Sequence, residues 1–555
     1  MPVNDVSPRR HGTPPLHSPL QRVIGPRDGP APSPPSPGPG AAPFPPDRKP
    51  LRMNLVTRIL STPMARQCAL VVADERGVLA VHGHDAIVDR VLAEAGAISA
   101  ASEPGSRVFL ALPHGPDLAF SVLATMASGR IAVPLSPELT VEEVVTLARR
   151  FRPSMLIHRR EGVEGLPDGC DGIDPDAWER AVEVARRRPL GAPVDVAADA
   201  PAWMVFTSGT TGHPRGVVHA HRSLDGRLPM DRGWTGLRAG DVIVHAGQLN
   251  WTYAFGLQIL DALRLGATSV VYTGPRDVHA WGPLVARTGA THFAAVPSLL
   301  RRILKHDDRA DRFRILRTTL CAGERLPEEH FERWRKTMGH APREALGMSE
   351  CSTFISSGPL APPKSGFAGR PQVGRRIAVL NEESPDREAA PGERGILAVH
   401  RTDPGLMLGY ADDPEATRRS LQGDWFVTGD LVRQETDGYV QHLGRLDDRM
   451  NAFGYRVDPQ EVERAVLQHP HIAEALVTET SVRGGELSLI GVLIVPHEGR
   501  CVDPTSIKSR LDSSLAPWKH PRRFCVVSAL PRSRNGKVLR READRILQQS
   551  GQSLE

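Results

Sequence analysis

The sequence predicts a multi-domain α/β protein. A large N-terminal domain of helix-covered β-sheets carries a small β-barrel-like subdomain, and a small α+β domain closes the chain. Three observations lead there. A chain of 555 residues exceeds what one hydrophobic core fills. From about residue 54, short apolar runs alternate with helical patterns at the spacing of β-α-β units with parallel strands. Farther on, the turns Gly369-Arg370-Pro371 and Gly392-Glu393-Arg394-Gly395 separate β-rich segments instead.

Hydrophobic content of 40% with 24% charged residues is ordinary for a soluble globular protein. No apolar run approaches the roughly 20 residues that cross a bilayer, and the start lacks a signal-peptide core. Six cysteines (Cys68, Cys170, Cys321, Cys351, Cys501 and Cys525) are scattered without a CxxC pair. That pattern points to reduced thiols in a cytoplasm and away from a disulfide frame or zinc site. The first 50 residues carry six Lys or Arg against three Asp, and the remainder 63 basic against 61 acidic residues. Charge therefore gives no support for a nucleic-acid partner.

Residues 1–50 hold 16 of the 50 prolines, so 1–52 is expected to be a disordered tail, with Met53 where globular sequence begins. The stretch 107–112 reads as a strand, 116–128 as a helix, 131–135 as a strand, 140–150 as a helix and 154–158 as a strand. Residues 159–199 are polar and rich in Pro and Gly, as in a surface connection. Strands follow at 203–206, 241–248 and 266–273, and 291–304 is a strand running into a helix. Near the end, 459–469 is a helix with Asp458 as its N-cap, 474–480 and 488–496 are strands, and 503–515 is a helix.

The first chemical signal follows the apolar run Trp203-Met204-Val205-Phe206. Thr207-Ser208-Gly209-Thr210-Thr211-Gly212 is a loop whose glycines allow close backbone approach. Its successive N–H groups and hydroxyls suit a polyphosphate. The Gly-Lys-Ser/Thr ending of a Walker A loop is missing, and a Gly/Thr-rich hairpin turn is the plain alternative. The aromatic segment Asn250-Trp251-Thr252-Tyr253-Ala254-Phe255-Gly256 reads equally as pocket lining or as core.

The eleven residues Phe206 to Gly216 resemble the phosphate-binding loop of the adenylate-forming superfamily, which includes acyl- and aryl-CoA ligases such as benzoate-CoA ligases. Arg215 stands where the family usually has Lys, so a planar fork replaces a point charge. Resemblance extends over roughly 54–545, with the motifs in family order. It implies an N-terminal domain over 53–445, a mobile C-terminal domain over 446–545, and a flexible tail over 546–555.

What the resemblance implies about the site follows the motifs. Thr207 to Gly212 with Arg215 hold the pyrophosphate, and Trp251, Thr252, Tyr253 and Gly347 line the acid's pocket. In Cys321-Ala322-Gly323-Glu324-Arg325-Leu326-Pro327, Gly323 and Glu324 lie close to the purine. Leu346-Gly347-Met348-Ser349-Glu350 resembles Tyr-Gly-x-Thr-Glu, with Ser349 at the nucleotide and Glu350 on Mg²⁺. Trp425-Phe426-Val427-Thr428-Gly429-Asp430 puts Asp430 on the ribose hydroxyls. In Gly444 to Arg456, Arg445 binds ribose and phosphate, Asp447 is the hinge, and Gly454, Tyr455 and Arg456 face coenzyme A. Leu530-Pro531-Arg532-Ser533-Arg534-Asn535-Gly536-Lys537 resembles the closing Leu-Pro-x-Thr-x-x-Gly-Lys, with Lys537 as the catalytic cation.

The implied activity is an ATP-dependent acid–thiol ligase that forms acyl-AMP and pyrophosphate, then passes the acyl group to coenzyme A. The expected substrate is a neutral aryl or short-to-medium acyl acid, because 250–256 lacks an Asp for an α-ammonium. A carrier-protein-loading acyl-AMP ligase, a luciferase-like enzyme and a non-catalytic adenylate-binding module are the alternatives. Oligomeric state is open at this stage.

Overall fold

The computed structural model describes residues 52–61, 64–159, 163–207, 214–306, 310–382, 384, 386–446, 450–452, 455–457, 459–482, 487–515, 519–532 and 538–553. The expected tail therefore lies outside the described residues except for Arg52. That residue bridges to Ala197 and pairs with Asp195 at 3.1 Å, so the packed body begins one residue inside the segment read as tail.

Strands β1 (Ala69–Ala73) and β2 (Val78–Gly83) form a hairpin and lead into the helix His84–Ala101. β3 (Arg107–Ala111), β4 (Ile131–Pro134) and β5 (Met155–His158) then alternate with the helices Pro116–Ala127 and Val141–Phe151. The second of these helices starts on a capping box, Thr140 accepting from Glu143 N while Glu143 reaches back. The expected surface connection 159–199 instead contains β6 (Asp171–Ile173) and the helix Pro175–Arg186. Asp174 caps that helix, Pro175 supplies its preset first turn, and Trp178 and Val182 bury one face.

β7 (Pro201–Thr207) and β8 (Arg215–Ala220) form an antiparallel pair. β9 (Val242–His245), β10 (Thr268–Tyr272), β11 (His292–Ala295) and β12 (Thr318–Ala322) are short and buried throughout. β13 (Arg343–Met348), β14 (Ser352–Ser356) and β15 (Arg370–Pro371) follow. Next come β16 (Ile377–Asn381), β17 (Arg394–His400), β18 (Gly409–Tyr410), β19 (Leu421–Gln422), β20 (Trp425–Gln434) and β21 (Val440–Arg445).

Two large sheets and one small one result. The nine-stranded sheet has the order β15-β14-β13-β12-β11-β9-β10-β1-β2, and the seven-stranded sheet the order β18-β8-β7-β4-β3-β5-β6. β16-β17-β20-β19, with β21 on β20, make the antiparallel subdomain. Parallel strands covered on both faces lose the polar alternation of a half-solvated sheet, which is why β3, β4 and β9 read as plain apolar runs. One core joins Leu70, Val108, Val205 and Val399, and so ties all three sheets together. A buried ion pair crosses it: Arg227 donates to Asp261 at 3.0 and 2.6 Å.

The C-terminal part has its own core around Val462, Ile490 and Ile507. β22 (Met450–Ala452) pairs with β23 (Tyr455–Val457). β24 (Ile472–Val482), β25 (Leu487–Pro496), β26 (Arg523–Val526) and β27 (Gln552–Ser553) form a four-stranded sheet. The helix Pro459–Leu467 is present, whereas its expected cap Asp458 lies outside the described residues. The flexible tail expected over 546–555 is corrected through Ser553. The helix Arg540–Ser550 runs through it, anchored by buried Ala543 and Leu547, and β27 pairs with Arg523 and Phe524.

Candidate active site

The loop expected to hold phosphate connects β7 and β8, two strands whose ends face each other. Thr207 and Arg215 are cross-strand partners at its base, while Ser208, Gly209, Thr210, Thr211 and Gly212 lie outside the described residues. The base is held by packing. Phe206 meets Phe151 at 4.9 Å and Phe109 at 6.1 Å between ring centroids. A Cβ at Gly216 would stand 2.6 Å from Met204 Sδ, so a larger residue here would push that buried side chain aside.

The guanidinium of Arg215 lies 5.5 Å over the ring of Tyr410, which β18 delivers by pairing with β8. Tyr410 donates its hydroxyl to Glu350 Oε1 at 2.8 Å. Burial, reinforced by the Glu350 charge, pushes the tyrosine pKa up, so the hydroxyl stays a proton donor. Glu350 is fixed from its backbone as well, where its carbonyl accepts from Met407 N at 2.7 Å. Beside it, the Ser349 carbonyl accepts from His219 Nε2 at 2.7 Å. Burial lowers His219 to about 4, and its ring stacks on Trp203 at 4.4 Å. Arg215, Tyr410 and Glu350 thus form one continuous chain of contacts at the mouth of the loop.

On the subdomain side, Asp430 and Arg445 are cross-strand partners on β20 and β21. Their charged atoms are 3.7 Å apart, and Arg445 also donates to the Thr428 carbonyl at 3.1 Å. His442 Nε2 donates to Asp430 Oδ1 at 3.1 Å. Gly429 turns the strand with φ +76°, and a Cβ there would sit 3.2 Å from Arg445 Nη2.

Gly323, at φ +97°, ends β12 and aims Glu324 at Ser298, whose hydroxyl donates to its carboxylate at 3.2 Å. Burial raises the Glu324 pKa; Arg532, Ser298 and Arg301 oppose that shift. Arg301 and Arg532 both reach Glu474 Oε2, at 3.3 and 2.7 Å, so this rim joins the N-terminal body to β24 of the C-terminal part. Behind it, Glu344 accepts from Leu326 N at 3.4 Å while its other oxygen is buried without a hydrogen-bonding partner among the described residues. Burial raises its pKa to about 8.

In the aromatic segment, Trp251 and Thr252 are half-buried, whereas Tyr253 is pinned. Its hydroxyl donates to the Leu320 carbonyl at 3.2 Å, and its ring meets Trp234 at 5.6 Å and His245 at 4.3 Å. Gly347 serves the strand crossing: a Cβ there would stand 2.3 Å from the Ser352 carbonyl oxygen. Tyr455 and Arg456 lie on β23. Lys537, Asp447 and Gly454 lie outside the described residues.

Sequence reasoning missed Tyr410, His442 and Glu344. A signal existed for the first, since Tyr410 is one of only five tyrosines and follows a glycine. His442 carried none, because its role depends on facing Asp430 across two strands.

Residues 86–411 match the AMP-binding enzyme family, and 461–537 match the AMP-binding enzyme C-terminal domain. Over 509 residues the chain is 26% identical to an uncharacterised acyl-CoA ligase of Bacillus subtilis (strain 168), covering 89% of this chain and 96% of that one. It is 29% identical over 449 residues to a 3-hydroxybenzoate–CoA ligase of Aromatoleum sp. (strain CIB), covering 78% and 85%. The crystal structure of ATP-bound MatB from Rhodopseudomonas palustris shares the fold, with a TM-score of 0.80, 24% identity, and coverage of 90% and 100%. With the family's sequence pattern matched over more than half its length, the chain belongs to the AMP-binding enzyme family.

Proposed function

We propose that this protein is an AMP-forming acid–thiol ligase that converts an aryl or short-to-medium acyl acid to acyl-AMP and passes the acyl group to coenzyme A. The observation that carries this reading is the chain of contacts Arg215–Tyr410–Glu350 at the mouth of the β7–β8 loop. It sets a cation and a carboxylate where a polyphosphate and its counter-ion would meet. The acyl- and aryl-CoA ligases among the relatives support the reaction class.

In the first half-reaction the acid's carboxylate attacks the α-phosphorus of ATP and pyrophosphate leaves. Both reactants are anionic, so the protein's task is placement and charge neutralisation. Thr207, the loop 208–212 and Arg215 hold the departing pyrophosphate. Asp430 accepts from the ribose hydroxyls with Arg445 beside it, Gly323, Glu324 and Ser349 border the purine, and Lys537 bridges carboxylate and phosphate. Trp251, Thr252 and the ring of Tyr253 wall the acid. In the second half-reaction the C-terminal domain turns about Asp447, and the face of Gly454, Tyr455 and Arg456 admits the thiol.

The residues fit Mg²⁺. No group of three or more His, Cys, Asp or Glu that could hold a metal occurs among the described residues, and Mg²⁺ needs only one or two carboxylates beside substrate phosphates. Glu350 would hold it through the oxygen not engaged by Tyr410, and the ion would neutralise phosphate charge.

The test is incubation with ATP, Mg²⁺, coenzyme A and a panel of carboxylic acids, measuring pyrophosphate, AMP and free thiol. One or more acids should drive pyrophosphate release and thiol loss in equal amounts. Pyrophosphate release without thiol loss would rule out coenzyme A as acceptor, and no release with any acid would overturn the reading.

A further inference from the structure

Three side chains from three separate elements converge on the loop 246–250, which connects β9 to the aromatic segment. Each bonds the loop backbone through one nitrogen. Arg276 Nη1 donates to the Ala246 carbonyl at 3.2 Å, Gly247 N donates to His245 Nδ1 at 2.8 Å, and Leu249 N donates to His114 Nδ1 at 3.2 Å. Those contacts fix the tautomers. Where Nδ1 accepts, a neutral imidazole carries its proton on Nε2. Both rings are neutral: burial, aided by Arg276, holds His114 well below the usual histidine range and His245 at about 3.

The outward nitrogens are therefore all donors. His114 Nε2, His245 Nε2 and Arg276 Nη2 are each buried and without a hydrogen-bonding partner among the described residues. The Arg276 charge is felt by both rings and opposes their protonation. An unmet buried donor is destabilising, and a charged one more so. Burial lowers even the Arg276 pKa to about 10, with the Glu138 charge as the main opposing influence. Glu138 is exposed and accepts from Gln248 Nε2 at 3.4 Å. Two imidazole donors and one guanidinium donor, all anchored on the same short loop, are a donor set suited to an oxyanion. It adjoins the acid's pocket, because the same loop runs into Trp251 and the His245 ring touches Tyr253.

We propose that His114 Nε2, His245 Nε2 and Arg276 Nη2 form a subsite for a second carboxylate on the activated acid, so that the enzyme selects dicarboxylic acids. The inference rests on the ligase reading above and narrows its substrate class. A water held there would satisfy the donors too, but it would give no preference among acids.

The experiment uses the full chain and two series of acids: pentanoate, 5-hydroxypentanoate and pentanedioate; benzoate, 3-hydroxybenzoate and benzene-1,3-dicarboxylate. The kcat/KM for pyrophosphate release should favour the dicarboxylate in at least one series by about 10- to 100-fold, the range of a charge-assisted hydrogen bond. Arg276→Gln should collapse that ratio toward one, and Arg276→Lys should restore part of it. A purely structural role would lower all acids together and preserve the ratio, which would overturn the proposal. So would a wild-type preference for the plain or hydroxylated acids. Thermal unfolding with each dicarboxylate alone gives a second readout, with Tm expected to rise for wild type and not for Arg276→Gln or His245→Gln. If no acid reacts yet this Tm difference persists, the ligase reading falls and the subsite stands. If plain acids react and dicarboxylates neither react nor bind, the subsite falls and the ligase reading stands.

Discussion

Tyr410 gives its one hydroxyl proton to Glu350 and its ring face to Arg215, so a single side chain orders a carboxylate and a cation. Tyr410→Phe keeps the ring and removes the bond to a charged group, worth about 1.5–3 kcal/mol. The expected result is a 10- to 100-fold fall in the rate of pyrophosphate release with little change in Tm; an unchanged rate would mean that Glu350 is oriented by its backbone alone. This role was not legible beforehand, because Glu350 lies 60 residues away in sequence and only the pairing of β18 with β8 closes the gap. Asp430 was legible through its motif, whereas its partner His442 arrives by strand register. Glu344 makes a second residue-scale prediction. Burial raises its pKa from 4.5 to about 8, so the native state holds its proton more tightly than the unfolded chain does. Its stabilising contribution is complete below pH 4.5 and is lost as pH rises toward 8. Glu344→Gln should therefore raise Tm at pH 8.5 relative to wild type and leave the difference small at pH 5, measured by thermal unfolding across that range.

At the scale of elements, the strands of the two large sheets that proved legible were those buried on both faces, where tertiary packing and local apolar content agree. β3, β4, β10 and β11 are of this kind. The miss at 159–199 came from weighing its polar composition above its caps: Asp174-Pro175 opens a helix whose apolar anchors are only Trp178 and Val182. The last helix was hidden for the same reason, since Ala543 and Leu547 are its buried residues against a sheet that the sequence does not display. The β13–β14 hairpin carries the element-scale prediction. Its strands cross so closely at Gly347 that a methyl group would overlap the Ser352 carbonyl oxygen and Thr353 Cα. Both obstacles are backbone, so neither can rotate away. Gly347→Ala should lower stability by about 1–3 kcal/mol, the usual cost of overpacking. It should also disturb Ser349 and Glu350 in the adjoining turn, giving loss of adenylation together with a lower Tm in the same variant.

For the whole molecule, the question is how one chain performs two reactions. The C-terminal part has a separate core, and Glu474 joins it to the larger body through Arg301, with Arg532 on the same carboxylate oxygen. These pairs are partly solvated, a class worth at most about 1 kcal/mol each, so the contact can part at little cost. Arg532 lies five residues before Lys537, which places the proposed catalytic cation in the part of the chain proposed to move. Two anionic reactants repel each other in the first half-reaction, and a Lys ammonium between them acts as a compact point charge with three donors. Lys537→Ala should slow pyrophosphate release by about 100- to 1,000-fold, by analogy with the loss of one oxyanion donor. In the proposed mechanism the second half-reaction starts from a mixed anhydride whose carboxylate charge is gone, after the domain has turned and carried Lys537 away. Coenzyme A consumption from supplied acyl-AMP should then proceed within about threefold of wild type, a difference of less than 1 kcal/mol in barrier. Measuring both rates on the same preparation separates the possibilities. A parallel fall would assign Lys537 to the fold, and two unchanged rates would place the catalytic cation elsewhere, with Arg215, at the base of the phosphate loop, as the next residue to replace.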